Sequence, residues 1–204
     1  MIRKAVCFIT LLLLAQAAHA SIVFMDGFES SLANWTGKNW GDYHGVIVDD
    51  PLQSDYALTF TAHNTSGDVY TESSFAPGNY ILSFDYLGIP GMGGVDGDLG
   101  GFVGITHELP GPQQIWLAGT ADHSGASPIL ADDNSWHHYS MDFTAPWSFH
   151  IMLEDFDGSR GVAGDAYFDN VTLDDKVQPV PEPASLLLFT IGLAGAGFHR
   201  KKNI

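Results

Sequence analysis

Between Ser21 and Leu173 the apolar residues come in short runs cut by Gly, Pro, Asn and Asp, and no apolar stripe of helical period lasts more than two turns. Tyr80, Leu82, Phe84 and Tyr86 alternate with Ser83 and Asp85, the period-two signature of a strand with one face on a core and the other in water. The same alternation sets Tyr139, Met141 and Phe143 against Ser140 and Asp142, and Trp147, Phe149, Ile151 and Leu153 against Ser148, His150 and Glu154. It predicts strands at Ile22–Met25, Gly45–Val48, Tyr56–Thr61, Asp68–Glu72, Tyr80–Leu87, Phe102–Thr106, Gln114–Leu117, His138–Thr144, Ser148–Leu153 and Ala166–Leu173. So many half-buried strands in one domain suit an all-β, two-sheet sandwich of the jelly-roll type, with a closed barrel as the alternative. Trp35, Trp136 and Trp147 are assigned to its core or rim.

Both ends of the chain break this texture. Residues 1–20 join Arg3 and Lys4 to an apolar stretch, Ala5 to Ala15, and end in Ala18-His19-Ala20, the order of a secretory signal cleaved before Ser21. The domain is then 21–174, followed by a short proline-bearing linker, 175–180. The last 24 residues, 181–204, hold Pro181-Glu182-Pro183, an apolar run over 184–198 and a basic stop of Arg200, Lys201 and Lys202. As a helix that run spans ~22 Å, short of the ~30 Å hydrocarbon core of a bilayer. It suits a short transmembrane helix in temporary residence, with the basic side chains snorkelling. The three charges favour a cytoplasmic C-terminus and the cleaved signal sends Ser21 outward, so both ends give one orientation.

Charge narrows the partners. Residues 21–178 carry 23 Asp and Glu against Lys38, Arg160 and Lys176, a formal charge of −20. Phosphate polymers are repelled by such a surface, and too few cations are present to release counterions from nucleic acid, so no nucleic-acid partner is expected. The only cysteine, Cys7, lies inside the signal. The exported domain has no disulfide, and its stability rests on packing or on a metal.

The C-terminal arrangement resembles the PEP-CTERM sorting signal of Gram-negative bacteria. The resemblance implies an exosortase as partner, a transient inner-membrane-anchored intermediate with the domain in the periplasm, and a final place at the cell surface or in the extracellular matrix. It also associates the cargo with extracellular polysaccharide. Within the domain, Asp26-Gly27-Phe28-Glu29 with Trp35, the stretch Tyr167-Phe168-Asp169-Asn170-Val171-Thr172-Leu173, and Trp136-His137-His138-Tyr139 running to Phe143 resemble the two ends and one further strand of carbohydrate-binding-module-like β-sandwiches. That resemblance implies a structural Ca²⁺ joining the two chain ends at Glu29 and Asp169, with Asp26 as a third ligand. Residue physics bears on Asp169 independently. In a regular strand it shares a face with Tyr167, Val171 and Leu173, and a lone carboxylate among apolar side chains is costly unless paired. A hard cation resolves the conflict. So does a bulge or a backbone hydrogen bond at Asp169.

Aromatic residues carry the ligand-binding expectation. Flat rings cover the C–H faces of sugars while carboxylates or amides bond the hydroxyls. Trp40, Tyr43 and Trp116 are the candidates, with Asp96 and Asp98 in the glycine-rich loop 91–101. Trp116 points outward if Ile115 and Leu117 point in. Catalytic signatures are missing: His107-Glu108 meets Gly111 where a second zinc-binding histidine belongs, and there is no G-x-S-x-G nucleophile motif. The expectation is a non-enzymatic exported protein with a structural or adhesive role. A carbohydrate-binding module for extracellular polysaccharide is the second reading, and a polysaccharide-active hydrolase the third.

Overall fold

The period-two stretches fold into eleven strands in the computed structural model, which describes residues 21–37, 45–53, 55–60, 67–90, 100–107, 114–120, 127–156 and 165–176. They are β1 (Ser21–Asp26), β2 (Trp35–Thr36), β3 (Gly45–Asp49), β4 (Tyr56–Phe60), β5 (Gly67–Thr71), β6 (Gly78–Gly88), β7 (Gly100–Thr106), β8 (Gln114–Gly119), β9 (Trp136–Ala145), β10 (His150–Phe156) and β11 (Ala166–Asp175). Sheet A has the order β3-β4-β11-β6-β9, with β1 also paired to β11; sheet B has the order β2-β5-β10-β7-β8. Neighbouring strands within each sheet run antiparallel. The architecture is an all-β two-sheet sandwich.

The alternation decides which side chains meet between the sheets. Leu82, Phe84 and Phe168 from sheet A and Val103, Ile151 and Leu153 from sheet B are fully buried. β11 is the pivot of sheet A. One side of it follows β6 from Ala166 to Asp175, while the other side meets β4 at Phe168↔Leu58 and then β1 from Val171 onward. The register against β6 shifts between Asp169 and Thr172, so a bulge falls where β4 hands over to β1. Ser21 stands opposite Asp175, and the two ends of the domain therefore leave side by side.

Four expectations change. The bulge flips the phase of β11: Ala166 and Phe168 face the core before it, Val171 and Leu173 after it. Asp169 therefore shares the outer face with Tyr167 and does not lie among the core side chains. Glu154, Asp155 and Phe156, which lie beyond the predicted strand Ser148–Leu153, continue β10, because β5 flanks it as far as Asp155 and β7 as far as Phe156. Trp136 belongs to neither core nor inner rim. It is paired with Leu87 and stands with His138 on the outer face of sheet A. The outer face of sheet B is not wet, since Met152, Phe102, Tyr70 and Glu154 on it are all buried.

Candidate functional site

The handover at β11 gathers acidic groups from both chain ends. At the end of β1 the carboxylate of Asp26 accepts hydrogen bonds from Phe28 N–H at 2.9 Å, Asn34 Nδ2 at 3.0 Å and Trp35 Nε1 at 3.0 Å. These three donors close the chain into a tight turn, with Phe28 at a φ of 57°. The turn drops the Phe28 ring into the core and sends Glu29 to the surface. Across from it, Asn170 occupies the bulge at a φ of 50°. Its N–H and its Nδ2 both donate to Asp169, at 2.6 and 3.0 Å, and Nδ2 also reaches Asp85 Oδ2 at 2.9 Å. Two residues in left-handed backbone on facing segments mark strain concentrated at one place.

Gly27 measures how closely the groups converge. A Cβ on it would stand 3.6 Å from Asn170 Oδ1, 3.8 Å from Asp169 Oδ1 and 3.9 Å from Glu29 Oε1. Burial pushes the Asp169 carboxyl up to about 7; the Asn170 N–H opposes the shift, and the charges of Asp55, Asp85 and Glu29 add to it. Glu29 is raised too, first by a hydrogen bond shared with Asp55, then by burial and by the Asp55 charge. The structure thus brings Glu29 and Asp169 close to Gly27 and sets Asp55 beside Glu29. Asp26 is placed differently, because its carboxylate is spent on local donors. Both non-metal resolutions of the Asp169 conflict, the bulge and the backbone hydrogen bond, are present. Among the described residues no three acidic, histidine or cysteine side chains are already gathered in a ligating arrangement.

A second constellation lies on the outer face of sheet B. Register places Trp116, Gly104, Met152 and Tyr70 in one row across β8, β7, β10 and β5, and Gly119, Phe102, Glu154 and Asp68 in the next. Trp116 points outward, as expected, and is half-buried. It lies against the bare backbone of Gly104, where a Cβ would stand 3.0 Å from Trp116 Cε3 and 2.7 Å from Ile115 O. The ring edge meets Phe102 with centroids 5.4 Å apart. Gln114 Nε2 is 3.6 Å from Met152 Sδ, which holds the amide on the same face. At the far end Asp68 is 5% exposed and its Oδ2 accepts from Tyr70 Oη at 3.0 Å, while Oδ1 has no hydrogen-bond partner. Burial raises the Asp68 carboxyl to about 6, against the pull of the Tyr70 hydrogen bond.

Asp55 and Asp85 join the first cluster, and Asp68, Glu154 and Phe102 the second, without having been singled out in the sequence. Cross-strand neighbours are set by sheet order, which local spacing does not encode. Trp40, Tyr43, Asp96 and Asp98 lie outside the described residues, as do Pro181, Glu182, Pro183, Arg200, Lys201, Lys202 and the apolar run 184–198.

The fold is shared with solved structures at low identity. The chain superimposes on part of a structure comprising the CBM22-1 and GH10 modules of endo-1,4-beta-D-xylanase 10B from Clostridium thermocellum, solved with xylohexaose, with a TM-score of 0.52 at 14% identity; 80% of this chain and 30% of that one are covered. The N-terminal CBM22-1-CBM22-2 tandem domain of Xyn10C from Paenibacillus barcinonensis gives a TM-score of 0.52 at 15% identity, covering 83% and 48%. The K3 cleaved adhesin domain of Lys-gingipain from Porphyromonas gingivalis W83 gives 0.50 at 12%, covering 76% and 99%. This chain thus spans less than half of the xylanase and tandem-domain chains. No curated protein matches the sequence. Residues 179–201 match the family model of the PEP-CTERM protein-sorting motif. The chain therefore carries the signal of an exported, exosortase-sorted protein, placed behind a sandwich with the fold of carbohydrate-binding modules.

Proposed function

We propose that this protein is a non-enzymatic component of the cell surface or extracellular matrix whose sandwich binds extracellular polysaccharide through the outer face of sheet B. The observation that carries the reading is the half-buried Trp116 ring laid on Gly104 beside Phe102, with Glu154 and Asp68 in the adjoining row. A ring fixed on a glycine backbone loses little freedom when a sugar stacks on it. Alongside, the Asp68 Oδ1 without a hydrogen-bond partner supplies a hydroxyl acceptor whose hydrogen bond is strong when it is charge-assisted. The adhesive role follows from that binding: a protein delivered to the surface by the sorting signal and holding polysaccharide there attaches cell to matrix. The membrane-anchored intermediate, with the sandwich in the periplasm, precedes that state.

Because the solved relative carries xylohexaose, xylan is the first polymer to test. Affinity electrophoresis of the protein in soluble xylan and in β-1,4-galactan is expected to show retardation, and Trp116→Ala is expected to weaken it by about tenfold, roughly 1.4 kcal/mol. Wild-type mobility unchanged by both polymers would sink the reading.

Calcium is part of the same proposal. Glu29 and Asp169 supply hard oxygen donors from the two chain ends and Asp55 adds one from the turn before β4, and the Asn170 amide and backbone carbonyls would complete a set of the kind Ca²⁺ takes. The observation that fits them to a cation is that Glu29 and Asp169 converge on Gly27, that Asp55 shares a hydrogen bond with Glu29, and that their like charges raise one another's carboxyls with no described basic side chain paired to them. The ion would neutralise that repulsion and tie β1 to β11. At a Ca²⁺ concentration 100 times its dissociation constant the gain is about 2.7 kcal/mol, a rise in melting temperature of roughly 5–10 °C. Asp169→Asn is expected to abolish the rise. A melting temperature indifferent to both Ca²⁺ and EDTA would remove the ion from the picture.

A further inference from the structure

We propose that the outer face of sheet A is a second surface for neutral glycans, with Trp136 as its stacking ring, so that one sandwich holds two polysaccharide chains on opposite sides. This goes beyond the sheet B reading and stands on separate residues.

Trp136 lies on β9 and Asp50 follows β3, the two opposite edges of sheet A. Yet Trp136 Nε1 donates to Asp50 Oδ1 at 3.1 Å. Both side chains have outward parity, since Trp136 pairs with Leu87 and Asp50 follows the outward Val48. Their bond therefore bridges the outer face. Floor positions of this face confirm the cover: Leu87 and Ala57 are 0% exposed although they point away from the core. Asp50 is fixed in turn, its Oδ1 also accepting Leu52 N–H at 2.6 Å and Gln53 N–H at 3.0 Å. The indole is thus anchored at its nitrogen while the side chain remains partly exposed, a preorganised platform of the kind sugar rings stack on.

The polar groups beside it have the matching chemistry. Asp50 is 6% exposed and its Oδ2 has no hydrogen-bond partner. A buried acceptor left in that state costs about 1–3 kcal/mol, and a ligand hydroxyl donating to it recovers the loss. One position along the strands, Asp85 holds His138 Nδ1 at 2.7 Å and Asn170 Nδ2 at 2.9 Å, an imidazole–carboxylate–amide row on the same face. Rings for C–H faces next to acceptors and amides for hydroxyls suit a carbohydrate. The formal charge of −20 over residues 21–178 repels polyanions, which leaves a neutral polymer as the occupant. Because the two outer faces of a sandwich look in opposite directions, occupancy of both would cross-link polysaccharide strands and raise avidity without new contacts.

The test uses the full chain purified in mild detergent, mixed with soluble xylan and with β-1,4-galactan. Wild type is expected to bind and to raise the viscosity of at least one polymer. Trp136→Ala is expected to abolish the viscosity rise while leaving single-site binding that Trp116→Ala then removes. Trp136→Phe, which keeps an aromatic cover over Leu87 but loses the Asp50 bond, is expected to weaken cross-linking by about tenfold and serves where the alanine variant does not fold. Wild-type cross-linking by both Trp136 variants overturns the second surface and leaves the sheet B reading standing. Binding lost in the Trp136 variants but untouched by Trp116→Ala has the opposite meaning: the sheet A surface stands and the sheet B one falls. Failure of the wild type to bind or thicken either polymer overturns both.

Discussion

Replacing Phe168 by alanine is expected to destabilise the sandwich by about 3–5 kcal/mol, read as a lower midpoint with an unchanged slope in urea unfolding. The ring is fully buried, within an aromatic cluster of sheet A that faces sheet B. Its centroid lies 5.3 Å from Tyr86, 6.2 Å from Phe60 and 6.3 Å from Phe84. Its tip reaches sheet B, where a Cβ on Gly101 would stand 2.9 Å from Phe168 Cζ. Nothing nearby can collapse into the space, because the facing position has no side chain and Tyr86 is held by the Gly101 N–H at 3.2 Å on its hydroxyl. The cost is therefore expected near the upper end of the range. Phe168→Leu, which refills most of the volume, is expected to cost less than half as much. Equal losses for the two variants would show that the ring's geometry, not its volume, holds the sheets together.

The same residue shows what local spacing reveals and what it does not. The strands carrying Tyr80 to Tyr86 and Tyr139 to Phe143 announce themselves, since inner and outer positions differ in polarity at every step but Ile81. In β11 the alternation of Tyr167, Asp169, Val171 and Leu173 is equally regular, yet a bulge at Asn170 moves Phe168 inward and Asp169 outward. An extra residue leaves no mark on composition, so parity was misleading there. β2 is two residues long and has no period to detect. Trp116 was legible because its neighbours Ile115 and Leu117 are apolar. Trp136 was not, because a tryptophan beginning a strand reads as core until its partner is known, and that partner, Asp50, is 86 residues away. Asp55 escaped for a similar reason. Its closeness to Glu29 exists only because β4 and β1 share one side of β11, whereas Asp26, nearer in sequence, is consumed by the turn it caps.

Buried acid on the outer face of sheet B makes stability depend on pH in an unusual direction. Asp68 stands directly across from Glu154, 5% and 7% exposed, and Tyr70 is the neighbour that donates to it. Burial, reinforced by both carboxylates, holds the Tyr70 phenol well above its ordinary value, so it remains a donor throughout the range of interest. The Asp68 carboxyl is raised from 3.8 in the unfolded chain to about 6 in the fold. A raised carboxyl favours the folded state when protonated. Its contribution is complete below about pH 4, where both states carry the proton, and is lost as pH rises through 6, where the folded protein must ionise a buried group. The full shift corresponds to about 3 kcal/mol, most of it lost between pH 4 and 7. Asp68→Asn keeps the shape and an acceptor for Tyr70 but cannot ionise. Its unfolding free energy, measured from pH 4 to 8 beside that of the wild type, is therefore expected to match the wild type near pH 4 and exceed it by about 3 kcal/mol at pH 7. Parallel pH profiles would mean that Asp68 ionises as freely in the fold as outside it. A hydroxyl donated to the unpartnered Oδ1 would favour the ionised form, so a polysaccharide bound on this face should lower the Asp68 pKa and bind more tightly above pH 6 than below it.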